Sequence, residues 1–251
     1  MAKPDSSPPD QRHDDAYTYD LYHEDYYGKL VKSQETLSYR WRCRWLEEAL
    51  KPAEGDRIVD LGCGAGTVSK YLLSRGAEVH GVDLSESAIK IAEAVNAQFP
   101  RGSFRRADAS RCSHLVDGSF DKACSVDVSE HCGYDVMLDI FAEAYRLLKP
   151  GGLYYVYTPN PYHLLERFKQ WGLLKKDPSH TGLRPVETVI HGLNLRGFEI
   201  VKSYEPESMI PIVRWVEWLW KQQPILRQIA IYRIAVLARK PVSTEGKAGT
   251  P

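Results

Sequence analysis

The chain has 251 residues, of which 43% are hydrophobic and 26% are charged. This composition is typical of a soluble globular protein of about one large domain, and it excludes a mainly disordered, collagen-like or coiled-coil chain. The 33 basic residues balance the 33 acidic residues. The net charge is therefore zero, without the global basic field typical of a nucleic-acid-binding protein, and we expect no nucleic-acid partner.

The chain ends and the cysteines bear on location. Residues 1–15 and 242–251 are rich in small, polar and proline residues, which predicts disorder at both ends. The first residues lack the apolar stretch of a secretory signal, so no such signal is predicted. No apolar run approaches the ~18 residues of a membrane-spanning helix. The five cysteines form no C-x-x-C pair, which favours reduced thiols over a zinc cage or disulfides. We expect a cytoplasmic protein.

Strands and helices alternate along most of the chain. Residues 16–55 hold a tyrosine-dense stretch and then a helical pattern, which together predict a helical lid. The strands predicted after it are 57–61, 78–83, 103–107, 120–128, 153–157, 198–201 and 231–238. The helices predicted between them are 67–74, 85–98, 137–148, 185–195 and 212–221. This alternation predicts βαβ units in a parallel sheet. The last strand follows its predecessor without an obvious crossover helix packed on the sheet, which favours antiparallel pairing.

Glycines and acids stand at the ends of the first three predicted strands. Asp60-Leu-Gly-Cys-Gly-Ala-Gly66 leads from a strand through a glycine loop into a helix, and its glycines let a ligand touch the backbone. Asp83 ends the second strand, where an acid accepts bonds from ribose hydroxyls. Asp108 follows the third strand, where a carboxylate can accept a hydrogen bond from the amino group of adenine. Each aspartate alone is more often a turn residue; together they predict a nucleoside-like cofactor.

The spacing of the glycines argues against a pyrophosphate. A dinucleotide fingerprint, G-x-G-x-x-G, would need glycine at position 67, and Thr67 is there instead. An NAD-type oxidoreductase on a similar sheet therefore stays open only as an alternative.

These motifs resemble those of the class I S-adenosylmethionine-dependent methyltransferases, over about residues 40–240. The matching motifs are DLGCGAG at 60–66, VDLS at 82–85, the AD pair at 107–108 and LLKPGG at 147–152. The segment SFDKACSVDVSEH at 119–131 is similar to the ubiquinone-biosynthesis O-methyltransferases and related small-molecule enzymes. The resemblance implies an α/β fold with a Rossmann-like, seven-stranded, mostly parallel sheet, helices on both faces and S-adenosylmethionine as the cofactor.

The resemblance also implies roles for individual residues. In that family the first loop holds the methionine part of the cofactor, the acid after the second strand holds the ribose, and the residue ending the fourth strand backs the cofactor. An arginine in the helix before the first strand also binds it, and Arg42 lies at the matching distance, with Arg40 and Arg44 as close alternatives. With Asp108, the expected cofactor-binding residues are Arg42, Asp60, Gly62, Gly64, Asp83, Asp108 and Val126.

Histidines are the candidates for acceptor chemistry. A hydroxyl acceptor must lose a proton, which suits a histidine near neutral pKa. His131, beside Glu130 after the fourth strand, is the first candidate base; a purely structural bond is the alternative. His163 and His180 lie in 159–183, where the resembled family places substrate contacts, and His180 is the second candidate; a helix cap is its alternative.

Two further patterns leave alternatives open. Asp127, Glu130 and His131 fit an acid-x-x-Glu-His pattern linked to a divalent metal in some quinone methyltransferases, but these ligands are an incomplete set for a hard cation, and we predict no metal. In 212–221, the residues Ile212, Trp215, Val216, Leu219 and Trp220 form one stripe, opposite Arg214, Glu217 and Lys221. Such a stripe is usually core or a homodimer interface, although its tryptophans also suit a peripheral membrane contact.

The sequence thus predicts methyl transfer from S-adenosylmethionine to a small-molecule acceptor, at a phenol, quinol or sugar hydroxyl. The domain is expected at 56–241, with substrate-side insertions at 159–183 and 206–230. A non-catalytic S-adenosylmethionine-binding protein is the remaining alternative, because an intact loop indicates binding but not turnover.

Overall fold

The computed structural model describes residues 36–175, 179–223 and 226–242. The eight α-helices of these ranges are α1 (Leu37–Leu50), α2 (Thr67–Ser74), α3 (Glu86–Asn96), α4 (Tyr134–Leu147), α5 (Leu164–Gln170), α6 (Val186–Leu195), α7 (Pro211–Lys221) and α8 (Arg227–Ala230). The strands are β1 (Arg57–Leu61), β2 (Glu78–Asp83), β3 (Gly102–Arg106), β4 (Phe120–Val126), β5 (Leu148–Pro159), β6 (Glu199–Tyr204) and β7 (Arg233–Arg239).

One sheet holds all seven strands, in the order β3-β2-β1-β4-β5-β7-β6. The first five strands pair in parallel, whereas β7 is antiparallel to both β5 and β6. The expected fold class, with an antiparallel last strand, is confirmed. Because β7 runs the other way, its first residue, Arg233, pairs with Pro159 at the end of β5. Arg233 therefore reaches the edge where the parallel strands end.

The core lies on both faces of the sheet because successive side chains of a buried strand point to opposite sides. Tyr154 belongs to the cluster under α4 and α6, while Tyr155 belongs to the cluster under α1 and α2. Both rings are fully buried. The helix boundaries follow local signals: the Ser85 hydroxyl accepts the Ala88 N–H to begin α3, and Gly197 adopts a φ of +86° just after α6, as the sequence predicts.

The orientation of α7 corrects the interpretation of its apolar stripe as core. Trp215 is 64% exposed and Ile212 is 78% exposed, whereas Glu217, on the predicted solvent face, is 2% exposed. Trp218, which the stripe left out, is exposed beside it. Helical periodicity identifies which residues share a face, but not which face packs against the protein. In α7 the buried partners of Glu217 determine the face that packs inward.

Some expectations lie partly outside the described residues. These are the disorder predicted for residues 1–15, the tail from residue 243 and the part of the lid before residue 36. All five cysteines are free thiols and buried, in agreement with the expectation of reduced cysteines. None of the helices in the described ranges combines the length and apolarity needed to cross a bilayer. The cytoplasmic location stays a prediction.

Candidate active site

The glycine loop after β1 is pressed between neighbouring elements. Gly62, Gly64 and Gly66 all have positive φ, at +80°, +51° and +68°. The backbone N–H groups of Gly62 and Cys63 both donate to the carbonyl of Val82, which fixes the loop against the end of β2. A Cβ at Gly62 would lie 2.6 Å from a Val128 methyl group. The loop thus requires glycine there both for its dihedral angles and for space.

Asp83, at the end of β2, binds the backbone of this loop. Its carboxylate accepts the Gly64 N–H at 2.9 Å and the Ser85 N–H at 2.9 Å. Burial raises the pKa of Asp83, while these two donors and the charge of His131 act in the opposite direction. A carboxylate offers about four acceptor positions, so two bonds within the protein leave capacity for ligand hydroxyls.

Asp60 is buried under the loop. Its carboxylate accepts the Ser69 hydroxyl at 2.6 Å and the Cys124 thiol at 3.5 Å, which ties the end of β1 to α2 and β4. Burial raises the pKa of Asp60 to about 6, against the effect of both donors. Because Asp60 is only 1% exposed, it supports the loop that would meet a cofactor and does not present a charge on the surface of the cleft.

Asp108 and Val126 occupy the remaining expected cofactor positions. Asp108 follows β3, and its Oδ1 accepts both the backbone N–H and the hydroxyl of Ser110, so the loop orients the carboxylate locally. Val126 is half-buried and packs against the apolar cluster on the α1 and α2 face. The roles of both residues toward a cofactor stay predictions.

Asp127, directly after β4, joins two arginines from distant parts of the chain. Its Oδ2 accepts Arg42 Nη1 from α1 at 2.9 Å, and its Oδ1 accepts Arg233 Nη1 from β7 at 2.7 Å. Burial opposes its ionisation, but the charges of Arg233 and Arg42 outweigh burial and hold the pKa of Asp127 below its usual range. Asp127 has a φ of +55°, which aspartate tolerates better than most residues.

Arg42 keeps binding capacity despite this ion pair. Its buried Nε has no hydrogen-bond partner among the described residues. Arg42 and Arg233 together carry one more charge than Asp127 neutralises, so this cluster has a net positive charge. An anionic group such as the carboxylate of an amino acid fits that charge and the unused donor.

Glu130, His131 and His180 meet beside this cluster, and His131 and His180 stack edge to face with centroids 5.1 Å apart. The Ser179 carbonyl lies 3.1 Å from His131 Nδ1. A carbonyl can only accept, so Nδ1 carries a proton and Nε2 is the basic nitrogen of the neutral ring. Glu130 is buried and accepts the Thr158 hydroxyl at 2.9 Å. Burial, reinforced by the charge of Asp127, raises the pKa of Glu130 to about 8.

Comparisons with known proteins agree with this geometry. Residues 59–156 match the family model of a methyltransferase domain. A solved S-adenosylmethionine-dependent methyltransferase of Mesorhizobium loti is 25% identical, with a TM-score of 0.59, over 81% of this chain and 99% of that chain. Residues 59–156 are therefore a methyltransferase domain, and the similarity to a solved S-adenosylmethionine-dependent enzyme agrees with the class that the sequence motifs resemble. The expected resemblance, fold and cofactor are thus confirmed, and the glycine loop with Asp83 is the part of the site that fits this cofactor.

The curated relatives of this chain differ in their acceptor atom. A ubiquinone biosynthesis O-methyltransferase of Paracidovorax citrulli is 30% identical over 53% of this chain and 62% of its own. A 24-methylenesterol C-methyltransferase 2 of Oryza sativa subsp. japonica is 26% identical over 75% of this chain and 55% of its own. The chain spans about half the length of the first ubiquinone biosynthesis relatives it matches. These relatives therefore do not identify a methyl acceptor.

The residues of the acid-x-x-Glu-His pattern lie in two different clusters of the structure. Glu130, His131 and His180 bring one potential ligand atom each to within 4.8 Å of one another, while the carboxylate of Asp127 binds two arginines. Two imidazoles and one carboxylate suit a transition metal better than Mg²⁺. Glu130 would have to lose its proton to bind such a metal. That no metal takes part stays a prediction.

His163 lies away from the histidine pair and is bonded within the protein. It is 2% exposed; its Nε2 lies 3.0 Å from Glu217 Oε1, and its Nδ1 accepts the Leu165 N–H at 3.3 Å. Both ring nitrogens hold the start of α5 against α7, so the structure does not support the substrate contact suggested for His163. Arg233 is not among the site residues predicted from the sequence; its place at the start of an antiparallel last strand is the signal that points to it.

Proposed function

We propose that the methyltransferase moves the methyl group of S-adenosylmethionine to a hydroxyl oxygen of a small molecule. The observation that carries this proposal is the orientation of His131: the Ser179 carbonyl at 3.1 Å holds the proton on Nδ1. The neutral ring therefore presents Nε2 as a base. A hydroxyl acceptor needs such a base, whereas an amine that is neutral at working pH does not.

Each part of the cofactor has a complementary group in the cleft. S-adenosylmethionine supplies an activated sulfonium methyl, so the protein itself must mainly bind, orient and exclude water. We assign the Gly62 and Gly64 backbone and Arg42 to the methionine end, Asp83 to the ribose and Asp108 to the adenine. Asp60 supports the loop from below, and Val126 lies at the end of β4, where the resemblance places the cofactor.

The base lies close to the proposed ribose site. The electrostatic effect of His131 reaches both Asp83 and Asp127, so His131 borders the cleft between the ends of β2 and β4. In the proposed reaction, Nε2 of His131 accepts the hydroxyl proton while the oxygen takes the methyl group. His180 packs against His131, and we assign it to orienting the acceptor.

The direct test is calorimetry followed by an acceptor screen. The purified chain should bind S-adenosylmethionine and S-adenosylhomocysteine and should not bind NAD, because Thr67 interrupts the dinucleotide fingerprint. Binding of NAD alone would instead support an oxidoreductase. A screen of phenols, alcohols and amines with radiolabelled cofactor should then give a product labelled at oxygen. Cofactor binding with no labelled product from any acceptor class would favour the non-catalytic alternative, and label at nitrogen or carbon would refute O-methylation.

A further inference from the structure

The outward face of α7 is apolar. The exposed residues of this helix are all uncharged: Pro211, Ile212, Trp215, Trp218 and Leu219. Ile210, just before the helix, is also 49% exposed. We call Ile210, Ile212, Trp215, Trp218 and Leu219 the α7 face. A contiguous apolar patch of this kind on a folded protein normally marks an interaction site.

Buried polar contacts hold α7 in this orientation. Glu217 is 2% exposed; its Oε2 accepts the Ser208 N–H at 2.6 Å, and its Oε1 lies 3.0 Å from His163 Nε2. If the helix rotated to bury its tryptophans, this carboxylate would lose both partners. Removing a partner from a buried charge is strongly unfavourable, so the exposure of the α7 face is built into the fold.

Two more polar side chains on the inner side of α7 contact the protein body. Lys221 Nζ donates to the Glu205 carbonyl at 3.0 Å and lies 3.6 Å from the Glu207 carboxylate. The Arg214 guanidinium lies over the ring of Trp41 in α1, 5.4 Å from its centroid. The polar stripe of an amphipathic helix thus binds the domain, and its apolar stripe is left for a different environment.

The α7 face belongs to one edge of the molecule. α7 follows β6, which runs parallel to β1–β5 because both β5 and β6 are antiparallel to β7. The glycine loop, His131 and α7 therefore all follow strand ends on the same edge of the sheet. The segment after β5 begins at that edge too, and Trp171, Leu173 and Leu174 in that segment are also exposed. Nine of the fifteen large hydrophobic residues that are exposed in the described ranges lie in these two segments.

The geometry points to the surface of a lipid bilayer as the occupant of the α7 face, with the protein body on the aqueous side. Tryptophan side chains prefer the boundary between head groups and acyl chains, and a helix lying in that boundary presents an uncharged apolar face. A second protein copy fits less well, because a standard interface takes about 20–30 residues from each side, and the large hydrophobic residues exposed in these two segments number nine. This inference does not depend on the proposed methyl transfer.

The test uses the full chain and vesicles of defined composition. Vesicles of phosphatidylcholine, alone and with phosphatidylglycerol, should both co-sediment the protein, because the α7 face has no charged residue. Lipids brominated along the acyl chains should quench the tryptophan fluorescence of the unaltered protein. The double variant W215E/W218E should lose about tenfold or more of its vesicle affinity, since binding scales with buried apolar area, while its affinity for S-adenosylhomocysteine and its melting temperature stay unchanged.

The matched control is V116E/L195E. These residues are 72% and 57% exposed, and they precede β4 and β6, at the opposite edge of the sheet. The control should bind vesicles as the unaltered protein does. Three results would overturn the inference: no co-sedimentation of the unaltered protein, equal loss in both double variants, or a concentration-dependent dimer in sedimentation velocity that only W215E/W218E abolishes. The last result would assign the α7 face to a second copy.

Discussion

The two halves of the cleft are held together by different kinds of contact. On the cofactor half, residues near one another in the chain orient the functional groups: Gly64 and Asp83 are 19 positions apart, and Asp83 and Ser85 only two. On the acceptor half, which also holds the Arg42 that we assign to the methionine end of the cofactor, the contacts are long-range. Asp127 is 85 positions from Arg42 and 106 positions from Arg233.

This difference determines which kind of substitution disturbs each half. The cofactor half depends on backbone N–H groups and positive φ angles, which a single side chain can obstruct. The acceptor half depends on the ion pairs of Arg42 and Arg233 with Asp127. It also contains the buried Glu130, whose raised pKa allows its protonation to be altered while the backbone stays in place. Substitutions in the two halves should therefore give separable effects on cofactor binding, turnover and pH dependence.

The largest expected effect is the loss of cofactor binding in Gly64→Val. A β-branched side chain is strained at the φ of +51° that Gly64 adopts, and the new atoms would stand where the loop meets the ligand. Calorimetry with S-adenosylhomocysteine should detect no binding. The matched control is Gly55→Val, because Gly55 also has positive φ and a Cβ there meets nothing within 4 Å. That control should melt at a lower temperature yet bind normally; normal binding by Gly64→Val would show that the loop does not meet the ligand.

His131→Ala tests the acceptor half and should have the next largest effect. Loss of a general base lowers kcat by a factor of about 10²–10⁴, while the affinity for S-adenosylhomocysteine should hardly change. Raising the pH should partly rescue the variant with a phenolic acceptor, because solution then supplies the phenolate. His191→Ala, an exposed position on α6, serves as the control. Near-normal turnover at pH 7 would eliminate His131 as the base and leave His180 to be tested.

The same contrast explains what the sequence could predict. The strands, the glycine loop and Asp83 follow from local patterns, because their geometry is fixed by neighbouring backbone. The ion pairs of Asp127 depend on how β7 returns along the sheet, and no local pattern encodes that register. The orientation of α7 also cannot be predicted from the helix alone, because the partners of the buried Glu217 are His163 and Ser208. The sequence pattern shows which residues form the apolar stripe of α7, but not that this stripe faces solvent.

Asp83→Ala should weaken cofactor binding without abolishing it. Bonds to a charged acceptor contribute about 1.5–3 kcal/mol, which corresponds to roughly 10- to 150-fold in affinity. The matched control is Asp121→Ala: Asp121 also accepts a backbone N–H, from Arg57, and pairs with Lys149, but it lies at the start of β4, on the opposite edge. Both variants should lose stability, and only Asp83→Ala should lose affinity for S-adenosylhomocysteine. Equal affinity in the two would remove Asp83 from the ribose site.

Glu130→Gln should have the smallest effect on binding and turnover, and its main effect should be on the pH dependence of stability. The folded pKa of Glu130 is about 8, above the ordinary value of 4.5. Between these values the folded protein keeps a proton that the unfolded chain releases. The free energy of unfolding must therefore fall as pH rises, by up to about 1.4 kcal/mol per pH unit. Glutamine resembles the protonated carboxyl and still accepts the Thr158 hydroxyl, so Glu130→Gln should remove that fall.

The useful range for this measurement lies above pH 6. Asp60 has a folded pKa of about 6 and causes a similar fall at lower pH, which overlaps the lower part of the Glu130 range. Urea unfolding of both proteins from pH 6 to 8 isolates the Glu130 contribution, as the difference between the two stability curves. Parallel curves would mean that Glu130 is ionised in the folded state. A negative charge would then lie beside Asp127 and His131, and the acceptor half would differ from the arrangement described here.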